Sequence, residues 1–349
     1  MSRCFFPCRL SLLLLLIFSV IAMGISPAAA ENLWTSLRQS LDDAGIDSNC
    51  FFELRAGHRL IDPVDEKHTS LAEARLQLEL NADFGWGLVK FKNDFLADPV
   101  VDAYLADLRE LSLIFFPLDF VDVKIGRQVL TWGTGDLLFV NDLFPKDWKS
   151  FFIGRDTEYL KAPSDAVKVS TFFDLVNIDI VYVPLFNGSD YIDGNRLSYW
   201  NSLLGCTAGR DDVFHDEDRD VFFNEDEWAA RLYRTINGIE AALYGYDGYW
   251  KTPEGLSSHS GRLIYPRLRV YGASLRSNLF GGLGNLEAGF YDSRSDHRGD
   301  NPLVRNSEWR LLAGFEHELG RDFTGGIQYY LEYMDDYADY KRTLPAGMA

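Results

Sequence analysis

The chain has 349 residues, 47% of them hydrophobic and 14% aromatic, with 34 basic against 52 acidic side chains and a formal charge of -18. So many aromatic residues rule against a disordered chain, and the acidic excess rules against a nucleic-acid partner, which needs a concentrated positive field. A helical membrane protein needs several apolar runs of about 18 residues or more, and the sequence offers one candidate, which is shorter than that.

That run is N-terminal. Arg3 and Arg9 form a positive n-region, Leu10 to Met23 is almost purely apolar, and Ala28, Ala29 and Ala30 supply a small-residue cleavage site. Residues 1–30 therefore read as a secretory signal cleaved near Ala30, which leaves 319 residues with a formal charge of -20 outside the cytoplasm. Cys4 and Cys8 leave with the signal, and Cys50 and Cys206 alone are no disulfide framework.

Residues 31–47 read as a short periplasmic helix, with Leu33, Leu37 and Leu41 spaced by four. From residue 48 to 349 the period changes to two. Ala72, Ala74, Leu76, Leu78, Leu80 and Ala82 face one side, and Glu73, Arg75, Gln77, Glu79 and Asn81 the other. Thirteen such segments follow one another: Cys50 to Leu60, Ala72 to Ala82, Trp86 to Leu96, Ala103 to Phe115, Val121 to Ile125, Val167 to Phe173, Val176 to Tyr182, Trp228 to Arg234, Ile239 to Tyr246, Leu268 to Arg276, Leu286 to Asp292, Trp309 to Phe315 and Ile327 to Tyr333.

Sandwich strands average about 5–6 residues, whereas a tilted transmembrane strand needs about 9–11, and the longer segments fall in the second range. Short and long connections also alternate. Both features predict an all-β chain, a transmembrane up-and-down antiparallel β-barrel with short periplasmic turns and long outer loops. Polar strand faces would line a lumen and apolar faces would touch lipid. Trp86, Tyr104, Trp132, Tyr182, Trp228, Tyr265, Trp309 and Tyr333 are either interfacial girdle residues or ordinary buried aromatics.

The most distinctive stretch runs from Lys124 to Trp148. It leaves a strand at Gly126, Arg127 and Gln128, passes Trp132 and Gly133, and reaches Asn141, Pro145 and Asp147. In these positions the chain resembles proteobacterial outer-membrane porin-like barrels, the alginate-export-like and uncharacterised porin-like proteins. The resemblance implies a passive outer-membrane channel without a cofactor. The motif covers about 25 residues; the signal peptide and the loop parity extend the likeness along most of the chain.

Thirteen strands is an odd number and the chain ends at Met348 and Ala349 rather than on an aromatic, a departure from that pattern. Single-chain bacterial barrels have even counts, so about 14–16 strands are expected of a complete barrel. Either one strand lacks the alternation, or the barrel is truncated at its C-terminus.

The connection from Thr131 to Asp165 contains Phe139, Phe144, Trp148, Phe151, Phe152 and Ile153, too apolar for a solvated loop. It is expected to fold onto the wall or into the lumen as a constriction, the alternative being a cap on the rim. Arg127, Arg155 and Lys161 with Asp136, Asp142, Asp156 and Glu158 would then set a transverse field, or serve as plain ion pairs.

The segment from Asp211 to Glu227 holds nine acids. Asp216, Asp218, Asp220 and Glu227 match positions 1, 3, 5 and 12 of a calcium loop, but Val221 stands where the turn requires Gly. A solvated acidic loop meeting divalent cations at a lipopolysaccharide surface is the simpler expectation. No His-Glu-x-x-His, Gly-x-Ser-x-Gly or phosphate loop occurs, and the Ser257 to Ser260 run around His259 is a hydrolase candidate by adjacency only.

These features together predict a Gram-negative outer-membrane channel for small hydrophilic solutes. Its expected partners are outer-membrane lipid, lipopolysaccharide, the barrel-assembly machinery and further copies of itself in a homo-oligomer. The alternative is a non-conducting barrel that acts as surface receptor, adhesin or assembly partner.

Overall fold

The computed structural model describes residues 35–344 except 37, 64–65, 202–204, 210–212, 218 and 220. The expected signal and cleavage site, and the last five residues, lie outside the described residues. A helix runs over 38–43, and Gly45, at φ +75, ends it directly before the first strand.

Thirteen strands form one sheet: β1 (Ile46–His58), β2 (Thr69–Asp83), β3 (Gly87–Asp98), β4 (Ala103–Leu118), β5 (Val121–Val129), β6 (Pro163–Phe172), β7 (Asn177–Val183), β8 (Glu227–Ile236), β9 (Ile239–Tyr249), β10 (Arg267–Leu279), β11 (Gly282–Ser293), β12 (Glu308–Gly320) and β13 (Phe323–Met334). Each contains or overlaps one segment read from the sequence. The strands pair antiparallel in strict chain order, with β1 and β13 at the two ends of the sheet; no ladder joins these ends among the described residues. Two short ribbons, Tyr199–Asn201 with Cys206–Ala208 and Gly255–Leu256 with Leu263–Ile264, lie in the long loops.

Several strands outrun their alternating segments because the ladder continues through residues that carry no polarity signal, such as Gly282 and Gly284 in β11. The turns tighten accordingly. Asn237 and Gly238 both have positive φ, as do Phe280 and Gly281, which is the turn geometry whose twist matches a two-residue hairpin. The opposite end carries connections 59–68, 130–162, 184–226, 250–266 and 294–307, and the four-residue link 99–102 between β3 and β4 is short for its side.

The polarity of the sheet is inverted relative to a water-soluble protein. In β2 Glu73, Arg75 and Gln77 are buried, Arg75 to 2% exposure, while Ala74, Leu76 and Leu78 between them are more open. Asp94, Ser112, Gln128, Asp179, Glu287 and Glu308 are buried in the same sense. On the other face Leu54 is 70% exposed, Leu243 60% and Ile327 72%. An open sheet face this apolar is unstable in water and stable in hydrocarbon, where the backbone is satisfied by the strand ladders. Exposed aromatics stand near both ends of the strands, Trp86, Phe116 and Phe323 at the short turns and Tyr104, Trp228, Trp309 and Tyr333 at the opposite end. Trp132 and Tyr265 do not belong to these girdles: at 7% and 5% exposure both are buried beneath the loops. No helix among the described residues is long and apolar enough to cross a membrane.

Candidate functional site: the inward loop

The 130–162 connection lies against the polar face of the sheet and touches it at widely separated strands. At one end Arg155 donates to Glu73 of β2 at 2.8 Å, and the Gly154 carbonyl accepts from Arg55 of β1 at 2.7 Å. At the other, Asp136 accepts from Gln328 of β13 at 3.4 Å and Asn141 donates to Glu287 of β11 at 2.8 Å. The sheet therefore curls round the loop, which bridges its interior.

The β11 anchorage is built on one carboxylate. Glu287 Oε1 accepts from the Thr134 amide, from the Thr134 hydroxyl at 2.8 Å and from the Gly135 amide at 2.9 Å; Oε2 accepts from the Asn141 amide at 3.1 Å and side chain at 2.8 Å. Gly133, at φ +82, turns the chain beside this carboxylate, and a Cβ there would stand 3.2 Å from Oε1. Asn141 also donates to the Ala273 carbonyl, and it fits because β10 offers Gly272, whose Cβ would fall 1.8 Å from Asn141 Oδ1. Asn285 and Tyr291 donate to the Thr134 and Val140 carbonyls at 2.8 and 2.6 Å.

Between the anchors the loop builds an apolar core against the wall. Trp132 packs edge-on to Phe144 with centroids 5.0 Å apart and meets Tyr244 at 6.0 Å, within a cluster that includes Val181, Tyr246, Trp250 and Tyr291. Inside that mass Lys146 pairs with Asp142 at 3.0 Å and donates to the Phe144 carbonyl. Burial pushes the Lys146 amine down, and the Asp142 carboxylate opposes it. Pro145 is fully buried beside it.

The β2 anchorage is polar and aromatic. Asp147 caps the short helix Trp148–Phe152 by accepting from Ser150 N–H, and Asp156 caps the turn Thr157–Leu160 by accepting from Glu158 N–H. This places the Tyr159 ring against two guanidiniums, that of Arg75 at 4.0 Å from the ring centroid and that of Arg109 at 4.9 Å. The Tyr159 hydroxyl accepts from Gln77, and burial pushes its phenol well up. Glu158 meets Lys92 of β3 at 3.3 Å, and Lys161 donates to Thr131, which donates to Asp142.

Gln128 points inward, fully buried, and donates to the Ala166 carbonyl at 3.1 Å. Arg127 takes the ion-pair alternative rather than a place in a transverse field. It shares the outward parity of Ile125 and Val129 and pairs with Asp165 across the rim at 3.2 Å, because successive strand residues face opposite sides. Of the acids expected in that field, Asp142 is buried and internally paired, whereas Asp136, Asp156 and Glu158 are exposed.

The next outer loop is stitched to the first. Lys146 N–H donates to Ser189 Oγ, Asp190 N–H to the Lys146 carbonyl and Trp148 N–H to the Asp190 carbonyl, all between 2.8 and 2.9 Å. The Asp190 side chain keeps an exposed surface, yet the loop mass desolvates it and the Asp147 carboxylate repels it, so that its carboxyl is pushed up to about 6.

Asp218 and Asp220 of the calcium-loop candidate lie outside the described residues. Its other members stand apart in their bonding: Asp216 accepts from Tyr265, while Glu227 is sealed by Lys251 at 2.5 Å and by Tyr246. Among the described residues no three His, Cys, Asp or Glu side chains are grouped to hold a metal ion. Cys50 and Cys206 are free thiols. The Ser260 hydroxyl turns to Glu217, and Ser257 accepts from the Ser260 amide.

Sequence reading did not single out Glu287, Tyr159, Asn285 or Gly272. The polar parity of Glu287 between Leu286 and Ala288 was readable; its pairing with a distant loop was not.

Inverted polarity, meander order and an internal loop define the chain as an up-and-down sheet of the membrane β-barrel class. No family model matches it and no curated protein matches it. Among solved structures it is similar to OmpTdeltaL8, a loop deletion mutant of an outer membrane protein of Vibrio cholerae, with 14% identity, 83% of each chain covered and a TM-score of 0.44. It is also similar to Salmonella typhi OmpF in complex with daunomycin, at 10% identity over 83% of this chain and 80% of that one with a TM-score of 0.44. Pseudomonas putida OprB at high pH is 13% identical over 89% and 80%, with a TM-score of 0.41.

Proposed function

We propose that the chain forms a passive outer-membrane channel for small hydrophilic solutes, with the 130–162 loop as its constriction. The observation that carries this reading is a loop fixed to widely separated strands on the polar face of a sheet whose other face is apolar. Solutes pass on the open side of the loop, where Asp136, Asp156 and Glu158 are exposed, and diffuse down their own gradient. Three bases of the interior wall are neutralised in place, which supports weak charge selection: Lys124 by Glu110 at 2.7 Å, Lys168 by Asp179 at 3.7 Å and Arg231 by Glu240 at 2.7 Å.

A second reading draws on the density of the packing. Trp132, Phe144 and their neighbours fill the interior against β6 to β11, which favours a sealed barrel that acts through its outer loops as receptor or adhesin. Planar-bilayer conductance separates the two. A channel gives discrete openings that grow when residues 134–139 are deleted; a silent wild-type chain that also stays silent after the deletion ends the channel reading.

A further inference from the structure

Val221, Phe222 and Phe223 are consecutive and exposed, at 50, 59 and 72%, in the acid-rich stretch from Asp211 to Glu227. In water such a triplet keeps apolar surface hydrated without return. Phe223 adds a backbone cost, because its φ of +61 lies in the left-handed region that bulky residues occupy only where their surroundings impose it.

The surroundings do impose it. The Glu225 amide donates to the Val221 carbonyl at 3.1 Å, and the Glu225 carboxylate accepts from the Val221 amide at 3.3 Å. Arg219 clamps that carboxylate at 3.1 Å while lying 4.1 Å from the centroid of the buried Tyr249 ring. The apolar tip is thus held out on a rigid turn. Its root is equally defined: Phe223 N–H donates to the carbonyl of Pro184, the first residue beyond β7. One register step below the Val183–Glu227 pair, Tyr182 and Trp228 meet on the outward face with ring centroids 4.5 Å apart.

We propose that Val221, Phe222 and Phe223 form an anchor inserted among the acyl chains of the outer leaflet, beside the Tyr182–Trp228 pair. The inference rests on the membrane-spanning reading of the sheet. Lipid is the occupant because the tip is rooted at Pro184, two residues beyond the outward Tyr182 of the Tyr182–Trp228 pair, on the face that meets hydrocarbon in that reading. The adjacent Glu225 and Asp226 keep charge at the level of headgroups and water.

The test places a nitroxide label at F222C, at L243C on the middle of the outward face and at H259C in another outer loop, each in a full chain whose native cysteines are serine. The labelled chains are refolded into phosphatidylethanolamine–phosphatidylglycerol vesicles, and collision with oxygen is compared with collision with a water-soluble nickel chelate. The expected oxygen-to-nickel ratio at 222 lies within about twofold of that at 243 and well above that at 259. A ratio at 222 equal to that at 259, with 243 in lipid, overturns the anchor and leaves the barrel standing. A label at 222 shielded from both reagents and broadened by a neighbouring label identifies a second copy as the occupant and also overturns it. A nickel-accessible 243 removes the membrane reading and the anchor together.

Discussion

One carboxylate, Glu287, satisfies five donors of the inward loop. Its truncation leaves enclosed amides without an acceptor, each at a cost of about 1–3 kcal/mol before water relaxes it. Glu287→Ala is expected to lose about 2–4 kcal/mol in urea unfolding and to release hydrogen-exchange protection at Thr134, Gly135 and Asn141. Glu287→Gln, which keeps one oxygen, should fall between. Asp190 supplies a pH dependence of defined sign. Its folded carboxyl, near 6, lies above the ordinary 3.8, so the folded state holds the proton more tightly. The stability that this proton supplies is fully present below about pH 4 and is lost as pH rises through 6. Exchange protection at Trp148, whose amide donates to the Asp190 carbonyl, should drop between pH 4.5 and 7.5, and Asp190→Asn should flatten that drop.

At the scale of elements, the strands follow from period-two patterning and the turns from local chemistry. Gly238, at φ +81 in the turn joining β8 to β9, is the clearest case. Gly238→Ala should destabilise the fold by about 1 kcal/mol, measured as a lower urea midpoint in lipid. The loops obey a different logic. The composition of residues 131–165 announced that they bury apolar surface, because Phe139, Phe144 and Trp148 have no place in solvent. Their partners were illegible, since no local period relates Arg155 to Glu73 or Tyr159 to Arg75 and Arg109. Arg127 shows the converse limit. Its place in a conspicuous motif suggested the lumen, while strand parity turned it outward to Asp165.

Across the whole molecule the decisive property is inverted polarity, and one substitution tests it. Leu243 sits on the outward face at 60% exposure. Leu243→Arg should cost about 2–4 kcal/mol in a bilayer if the side chain lies near the midplane, read from urea titration in lipid vesicles. The same change on an exposed surface of a soluble protein stays within about 0.5 kcal/mol.

The sequence by itself determined the thirteen alternating segments, the antiparallel meander and the two faces of the strands, because alternation and turn residues act over a few positions and need no distant partner; it left open whether a further strand completes the barrel. The tertiary structure alone decided which strands hold the 130–162 loop on the polar face, through Glu287 and the cluster of Arg75, Tyr159 and Arg109, and that Trp132 and Tyr265 are buried rather than interfacial. Those contacts join residues far apart in the chain, and they form only when the curling of thirteen strands brings the faces of β2 and β11 round the same loop.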